Sequence, residues 1–215
     1  MSKIVFAHNV YNRLKTLKDT ILIEKKFFPD SHVSIASNDL FINIFQEITN
    51  LSIISFNEKP HKIGCVNGCI LSIQQLLNED FDVLIFSHDD VRINNNFNKV
   101  LNKNIEEIVN GDFDVICRIP EEYSNNYYMM EVFFLSKKVV TKIFTDLQPI
   151  KDENKIPRDI HNSISPEVWL FNQLNGNGFN IKEIKFNLNI NNYNQILGEQ
   201  MGYLHLNAGE RGWKD

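Results

Sequence analysis

The sequence lacks any apolar run of the roughly 18–20 residues that a membrane-spanning helix requires, and it has only 3 cysteines in 215 residues. Its first apolar run, IVFA at residues 4–7, is too short for the core of a secretion signal. Cys65, Cys69 and Cys117 are odd in number and match no zinc-ribbon or disulfide spacing, so we expect reduced, buried thiols. These absences predict a soluble, cytoplasmic protein with no transmembrane segment.

An excess of charge of either sign is also missing. The chain has 22 Lys and Arg against 27 Asp and Glu, a net charge of -5, and its basic residues are scattered. Nucleic acid is therefore not an expected partner. The 9 glycines and 6 prolines form no linker, which predicts one domain over residues 1–215.

Short apolar runs alternate with amphipathic segments through the first 90 residues. The strand candidates are 3–7, 31–37, 51–56 and 82–86, and the helix candidates are 11–28, 40–48 and 62–80. The run DVLIF at 82–86 has almost no polar alternation, which is typical of a strand covered on both faces. This order predicts an α/β fold, a single Rossmann-like domain with a central, mostly parallel sheet flanked by helices.

The second half has a different pattern. Strands are predicted at 112–119, 127–135 and 181–190, and helices at 97–109, 137–144 and 167–174. The intervening loop at 149–166 is long, and such loops in compact domains are usually functional or mobile. The closing NAGERGWKD is either a flap that brings Arg211 and Lys214 to a ligand or a frayed terminus.

Polar clusters follow three of the predicted strands in the first half. They are His8 and Asn9, then Ser37, Asn38 and Asp39, then His88, Asp89 and Asp90. Ligands of open α/β sheets bind at the carboxyl ends of strands, so these clusters predict one crevice. An acidic pair after a buried strand can hold Mg²⁺ or Mn²⁺. Aspartate is also common in turns and helix caps, which is the structural alternative.

The stretch His88-Asp89-Asp90-Val91 resembles the His-x-Asp-Val variant of the Asp-x-Asp motif in GT-A nucleotide-sugar glycosyltransferases, specifically the small family-2-like enzymes. The order of elements is similar over nearly the whole chain. The resemblance implies an Mn²⁺ or Mg²⁺ cofactor, with Asp90 as the second, metal-binding acid and His88 at the first position. Because the motif departs from strict Asp-x-Asp, which of His88, Asp89 and Asp90 contacts the metal stays open.

The resemblance also implies that the two halves of the domain bind different substrates. The nucleotide-sugar-binding half is 1–93, and the acceptor-side half with the C-terminal tail is 94–215. The residues that it places near the donor are Ala7, His8, Asn9, Ser37, Asn38, Asp39, Lys62, Gly64, Asn67, His88 and Asp89. The start of the helix at 62–67 would attract phosphate. The alternative is an ordinary helix start that binds no ligand. His205 is implied as a further metal ligand, or is a structural histidine.

An inverting transferase needs a carboxylate to accept the proton of the acceptor hydroxyl. The resemblance implies Glu167 in that role, with Trp169 near the sugar. Asp159 is the alternative candidate for the base. Ser165-Pro166-Glu167 is equally a helix N-cap followed by an acidic first turn. Glu131, a carboxylate among apolar neighbours, requires a partner or a function.

These assignments predict a metal-dependent hexosyl- or deoxyhexosyltransferase that moves a sugar from a UDP-, GDP- or dTDP-sugar to a hydroxyl acceptor, a glycan, with inversion. An HD-type metal phosphohydrolase is one alternative and would carry His88 and Asp89 on a helix. A nucleotidyltransferase is another, but it usually has a Gly-rich loop where this chain has HNVYNRLK. The non-enzymatic alternative is a nucleotide- or carbohydrate-binding module.

Overall fold

The computed structural model describes most of the chain. The described residues are 2–10, 13–37, 45, 47–56, 62–123, 126–187 and 192–206. The predicted helix at 40–48, Asn38, Asp39 and the closing segment with Arg211 and Lys214 lie wholly or largely outside these ranges.

Strands and helices alternate through the first half and are mixed in the second. The strands are β1 (Ile4–Val10), β2 (His32–Ser37), β3 (Leu51–Ser55), β4 (Val83–His88), β5 (Val91–Ile93), β6 (Val115–Pro120), β7 (Val132–Ser136), β8 (Ile181–Phe186) and β9 (Tyr203–His205). The helices are α1 (Leu14–Phe27), α2 (Lys62–Gln74), α3 (Asn98–Val109), α4 (Lys137–Phe144), α5 (Pro166–Leu174) and α6 (Tyr193–Met201).

Seven strands form one sheet in the order β3-β2-β1-β4-β7-β6-β8. The neighbours from β3 to β4 are parallel, β7 is antiparallel to β4 and β6, and β6 is parallel to β8. The apolar run predicted to be a covered strand, β4, lies at the centre. The predicted α/β fold with a mostly parallel sheet is therefore confirmed.

Helices cover both faces of this sheet, and side chains of β1 alternate between the two resulting cores. Phe6 joins the core formed with α1, α3 and α6. Val5 and Ala7 join the core formed with α2, α4 and α5. This is the period-2 alternation of a strand with a buried layer on each side, and it explains why the apolar run at the start of β1 has no polar face.

The second half departs from the sequence prediction in two places. The strand predicted at 127–135 begins only at Val132, and in the preceding segment the N-H of Tyr128 bonds to the Glu167 carbonyl oxygen of α5. A two-stranded ribbon of β5 and β9, and the helix α6 before it, were not predicted. Both β5 and β9 have three residues, which is too short for a periodic signal.

The three cysteines are free thiols. Cys69 and Cys117 are fully buried, and burial raises the pKa of both thiols. Cys65 is partly exposed at the start of α2. No helix in the described ranges has both the length and the apolar composition needed to cross a bilayer.

Candidate active site

The carboxyl ends of β1, β2 and β4 meet at one edge of the sheet. In the strand register, Asn9 is opposite His88, and Val10 is opposite Ser37. The described members of the three predicted polar clusters therefore share one edge, as ligand-binding residues of open α/β sheets do. We call this edge the site edge.

A tight turn at Asp89 and Asp90 connects β4 to β5 at the site edge. Asp90 is only 4% exposed. Its Oδ2 lies 3.5 Å from Nε2 of His205 and 3.5 Å from Nη1 of Arg13. The backbone N-H of Leu206 also donates to the Asp90 carbonyl oxygen over 2.7 Å. Asp90 is thus held between the start of α1 and the end of β9.

The ribbon of β5 and β9 explains how His205 reaches Asp90. Val91, the residue after Asp90, pairs with His205 in the antiparallel register. His205 is 1% exposed and belongs to the last described segment of the chain. The strand pairing therefore joins residues that lie far apart in the sequence.

The three residues of the motif have different neighbours. Nε2 of His88 lies 3.6 Å from Sγ of Cys65, and its ring packs edge-on against Phe86. Asp89 is 7% exposed in the turn. Of the three motif residues, Asp90 contacts His205. A metal ion bound by both residues would therefore involve Asp90.

A carboxylate oxygen beside an imidazole nitrogen is a donor set that fits Mn²⁺, whereas Mg²⁺ prefers oxygen ligands throughout. Among the described residues, no group of three or more His, Cys, Asp or Glu side chains could hold a metal ion. Asp90 and His205 alone would therefore leave most coordination positions to a substrate and water. That arrangement is normal for ions that bind together with substrate phosphates.

Three of the residues assigned to donor binding have structural roles in the protein interior. Both ring nitrogens of His8 are engaged, one 2.9 Å from Oε2 of Glu24 and the other 3.1 Å from Oγ of Ser87. The side-chain amide of Asn67 exchanges two hydrogen bonds with the backbone of Ile150. Ala7 is fully buried in the core. These side chains are therefore engaged within the protein, and their assignment to donor binding stays a prediction.

Three of the remaining donor-side residues, Asn9, Lys62 and Gly64, meet at the start of α2. Asn9 donates to the Cys65 carbonyl oxygen over 3.2 Å, which ties β1 to the first turn of α2. Lys62 opens this helix and is partly exposed, and Gly64 follows two residues later and is buried. Ser37 ends β2 and is 1% exposed, with its carbonyl oxygen bonded to the N-H of Phe56.

A buried ionic cluster supports the segment that carries His205. Arg118 of β6 and Glu131, just before β7, form an ion pair at 0% and 3% side-chain exposure. The hydroxyl of Tyr193 donates to Glu131 over 2.6 Å and lies 2.9 Å from Nη1 of Arg118. The Tyr193 ring packs edge-on against His205 at a centroid distance of 6.2 Å. Sequence reasoning expected a partner for Glu131 but did not identify it.

The two carboxylates predicted as bases belong to the first turn of α5 and to the loop before it. Oγ of Ser165, the N-cap of α5, accepts from the N-H of Val168 and donates to Glu167 over 2.9 Å. Glu167 is partly exposed. Asp159 accepts two backbone N-H bonds in its own loop, from His161 and Ser163, and so organises that loop.

Trp169 of α5 is 4% exposed and packs in the core between this helix and the sheet. The expectation that it lies near a bound sugar stays a prediction.

No protein-family model and no curated protein sequence matches the chain. Its structure is similar to the crystal structure of a glycosyltransferase involved in the glycosylation of the major capsid of PBCV-1, with 11% identity, 97% coverage of both chains and a TM-score of 0.55. The crystal structure of A197 from STIV is 15% identical over 86% of this chain and 82% of that chain, with a TM-score of 0.43. The first likeness shows that the chain has a glycosyltransferase-like α/β fold.

Proposed function

We propose that the protein is a metal-dependent glycosyltransferase that moves a sugar from a nucleotide diphosphate to a hydroxyl group of a saccharide. The observation that carries the proposal is the contact between Asp90 and His205, both buried, at the site edge of a glycosyltransferase-like fold. Burying ionisable groups is costly unless they are paired, hydrogen-bonded or bound to a metal ion.

Asp90 and His205 are the proposed ligands of the metal ion, and the donor set favours Mn²⁺ over Mg²⁺. When bound, the ion would neutralise negative charge on the leaving diphosphate. Arg13, with its side chain 39% exposed, places a further positive charge beside Asp90. His88 and Asp89 keep Asp90 in place as parts of the same strand end and turn.

The donor phosphates are proposed to lie at the start of α2. The first backbone N-H groups of a helix point outward without intrahelical partners, and they carry partial positive charge. Lys62 adds a full charge at that helix start. These features bind phosphate irrespective of the nucleobase of the donor, so UDP-, GDP- and dTDP-sugars all belong in the test panel.

Glu167 is the proposed base. Ser165 binds one of its carboxylate oxygens, which orients the group for accepting the proton of the acceptor hydroxyl. The acceptor oxygen then forms the new bond to the anomeric carbon, while the bond from that carbon to the diphosphate oxygen breaks and its electron pair leaves with the diphosphate. This direct displacement inverts the anomeric centre. Asp159 is the weaker candidate, because it is occupied with its own loop.

The alternative of an HD-type phosphohydrolase has less support. Its His-Asp pair should lie on a helix, whereas His88 ends strand β4 and Asp89 lies in a turn. A binding module without turnover would have the same fold, so only an activity measurement separates it from a transferase.

The test is hydrolysis of a panel of nucleotide sugars with Mn²⁺, with Mg²⁺ and with a chelator. We expect turnover of one donor that depends on metal and that falls at least a hundredfold in Asp90→Ala and in His205→Ala. Asp80→Ala is the matched control, since Asp80 is an exposed carboxylate paired with Lys3 elsewhere on the surface. Unchanged turnover in Asp90→Ala would refute the assignment, and donor binding without turnover or metal dependence would identify a binding module.

A further inference from the structure

A cluster of three aromatic side chains joins the turn after β6 to the loop before α5, and we call it the aromatic platform. It consists of Tyr123, Tyr127 and His161. The ring centroids of Tyr123 and Tyr127 are 4.5 Å apart with the planes tilted by 33°. His161 meets Tyr123 edge-on at a centroid distance of 5.7 Å. Tyr123 and Tyr127 are partly exposed and His161 is exposed, so all three are accessible from solvent.

The segments that carry the platform are held by backbone hydrogen bonds. Tyr123 lies in the short 3-10 turn that follows β6. Next to Tyr127, the N-H of Tyr128 donates to the Glu167 carbonyl oxygen over 3.3 Å. The N-H of Met129 donates to the Arg118 carbonyl oxygen over 2.9 Å. The rings are therefore presented by backbone that is fixed to β6 and to the start of α5.

The loop that carries His161 is also well defined. Oδ1 of Asp159 accepts the N-H groups of His161 and Ser163, each over 2.9 Å. Arg158 bonds through Nη1 to the Asn162 carbonyl oxygen over 2.7 Å, and the loop closes with a bridge between Arg158 and Ile164. An exposed histidine is thus placed against Tyr123 by a constrained turn.

Carboxylates surround the platform. Burial, together with the charges of Asp159, Glu122 and Glu167, raises the pKa of the Tyr123 phenol. Burial and then the charge of Glu167 raise the pKa of the Tyr127 phenol. Both hydroxyls therefore stay protonated donors at neutral pH, next to carboxylate acceptors. The negative surroundings disfavour an anionic ligand.

The platform is linked to the site edge through the backbone. The segment that begins at Tyr127 continues to Glu131, whose carbonyl oxygen accepts the N-H of His88 over 3.0 Å. At its other end this segment is bonded to the residue proposed as the base, Glu167. The platform is therefore fixed both to the strand that leads into the Asp90 turn and to the start of α5.

Aromatic faces combined with carboxylates, phenols and an imidazole match the chemistry of a neutral sugar. A pyranose ring has an apolar face of C-H groups that packs on aromatic rings, and a rim of hydroxyls that both donate and accept hydrogen bonds. We infer that the aromatic platform binds the acceptor, and that the acceptor is a neutral saccharide whose ring packs against Tyr123 and Tyr127. This inference rests on the proposed function and assigns its acceptor.

The test is binding of the full chain to a printed array of oligosaccharides that includes neutral and sialylated or uronic-acid members, without any donor. We expect binding to neutral members. Saturation-transfer NMR with a neutral oligosaccharide from the array then gives the affinity. It should fall about tenfold or more in Tyr123→Ala and in His161→Ala, because the packing surface is lost. Tyr123→Phe keeps the ring and should retain most of the affinity.

His32→Ala is the control. His32 begins β2, at the end of that strand away from the site edge, and its ring is hydrogen-bonded to Ser52 of β3. An affinity that is unchanged in Tyr123→Ala would overturn the inference, and so would binding confined to anionic saccharides or the absence of saccharide binding. Donor hydrolysis by the wild-type chain is measured separately. Saccharide binding without donor hydrolysis would refute the proposed transferase but support saccharide binding by the platform. Donor hydrolysis without saccharide binding would support the transferase and refute saccharide binding by the platform.

Discussion

The buried pair of Arg118 and Glu131 gives the sharpest prediction about stability. Glu131→Leu removes the carboxylate and leaves the Arg118 guanidinium, which is 0% exposed, without its counter-ion. Nη2 of Arg118 already has no hydrogen-bond partner among the described residues. Breaking a buried ion pair on one side typically costs about 3–5 kcal/mol. We expect Glu131→Leu to lower the free energy of unfolding by about that amount.

The double variant Arg118→Met/Glu131→Leu removes both charges. The hydroxyl of Tyr193 then loses two partners, which costs about 1–3 kcal/mol, but no uncompensated charge stays in the core. An apolar replacement of a buried pair is often neutral or stabilising. The double variant should therefore be more stable than Glu131→Leu by about 2 kcal/mol, although it carries one more substitution.

The assay is urea-induced unfolding followed by far-UV circular dichroism, with the free energy extrapolated to zero denaturant. Lys138→Met is the control, because the Lys138 side chain is 62% exposed in its ion pair with Asp114. Its cost should be at most about 1 kcal/mol. A cost of less than about 1 kcal/mol for Glu131→Leu would contradict this prediction. So would a double variant that is no more stable than Glu131→Leu.

Two further predictions concern packing and alkaline pH. A Cβ at Gly68 would lie 1.9 Å from Oδ1 of Asn9, so Gly68→Ala should destabilise the protein by about 1–3 kcal/mol in thermal unfolding. Asn9→Ala in the same chain should recover part of that loss, and a stabilising Gly68→Ala would contradict the close approach. Burial raises the pKa of Tyr193 and Tyr203 above the ordinary 10.0, so the stability that they contribute is complete below that pH and declines above it. Phenolate absorbance of these residues should appear together with the loss of circular dichroism, whereas their ionisation near pH 10 in a folded chain would refute the prediction.

The fold of the first half was predictable because its signals are local. The uninterrupted apolar run that became β4 marks a strand covered on both faces, and the helical spacing of α1 and α2 is visible within each segment. The site edge followed from a general property of open α/β sheets, since polar residues at the carboxyl ends of parallel strands must share one edge. His88 and Asn9 are opposite each other as that rule requires.

Two of the residues assigned to donor binding have partners inside the protein. His8 and Asn67 follow a strand and open a helix, as donor-binding residues do, yet both point into the protein. Residue type and position along an element do not determine which way a side chain at the end of a strand faces. A one-residue change of register exchanges the two faces, and only packing fixes that register.

The α/β class, the central strand and the acidic turn at the end of that strand were predictable from the sequence, because each depends on residues that are neighbours in the chain. The contact of His205 with Asp90, the ion pair of Arg118 with Glu131 and the hydrogen bonds of Tyr193 to both members of that pair exist only in the folded chain. The contacts of His205 with Asp90 and of Tyr193 with Arg118 and Glu131 link segments that lie far apart in the sequence, through a three-residue ribbon and a helix that lack strong patterns of their own. Their formation depends on the summed packing of the sheet and its helices, which no single segment encodes.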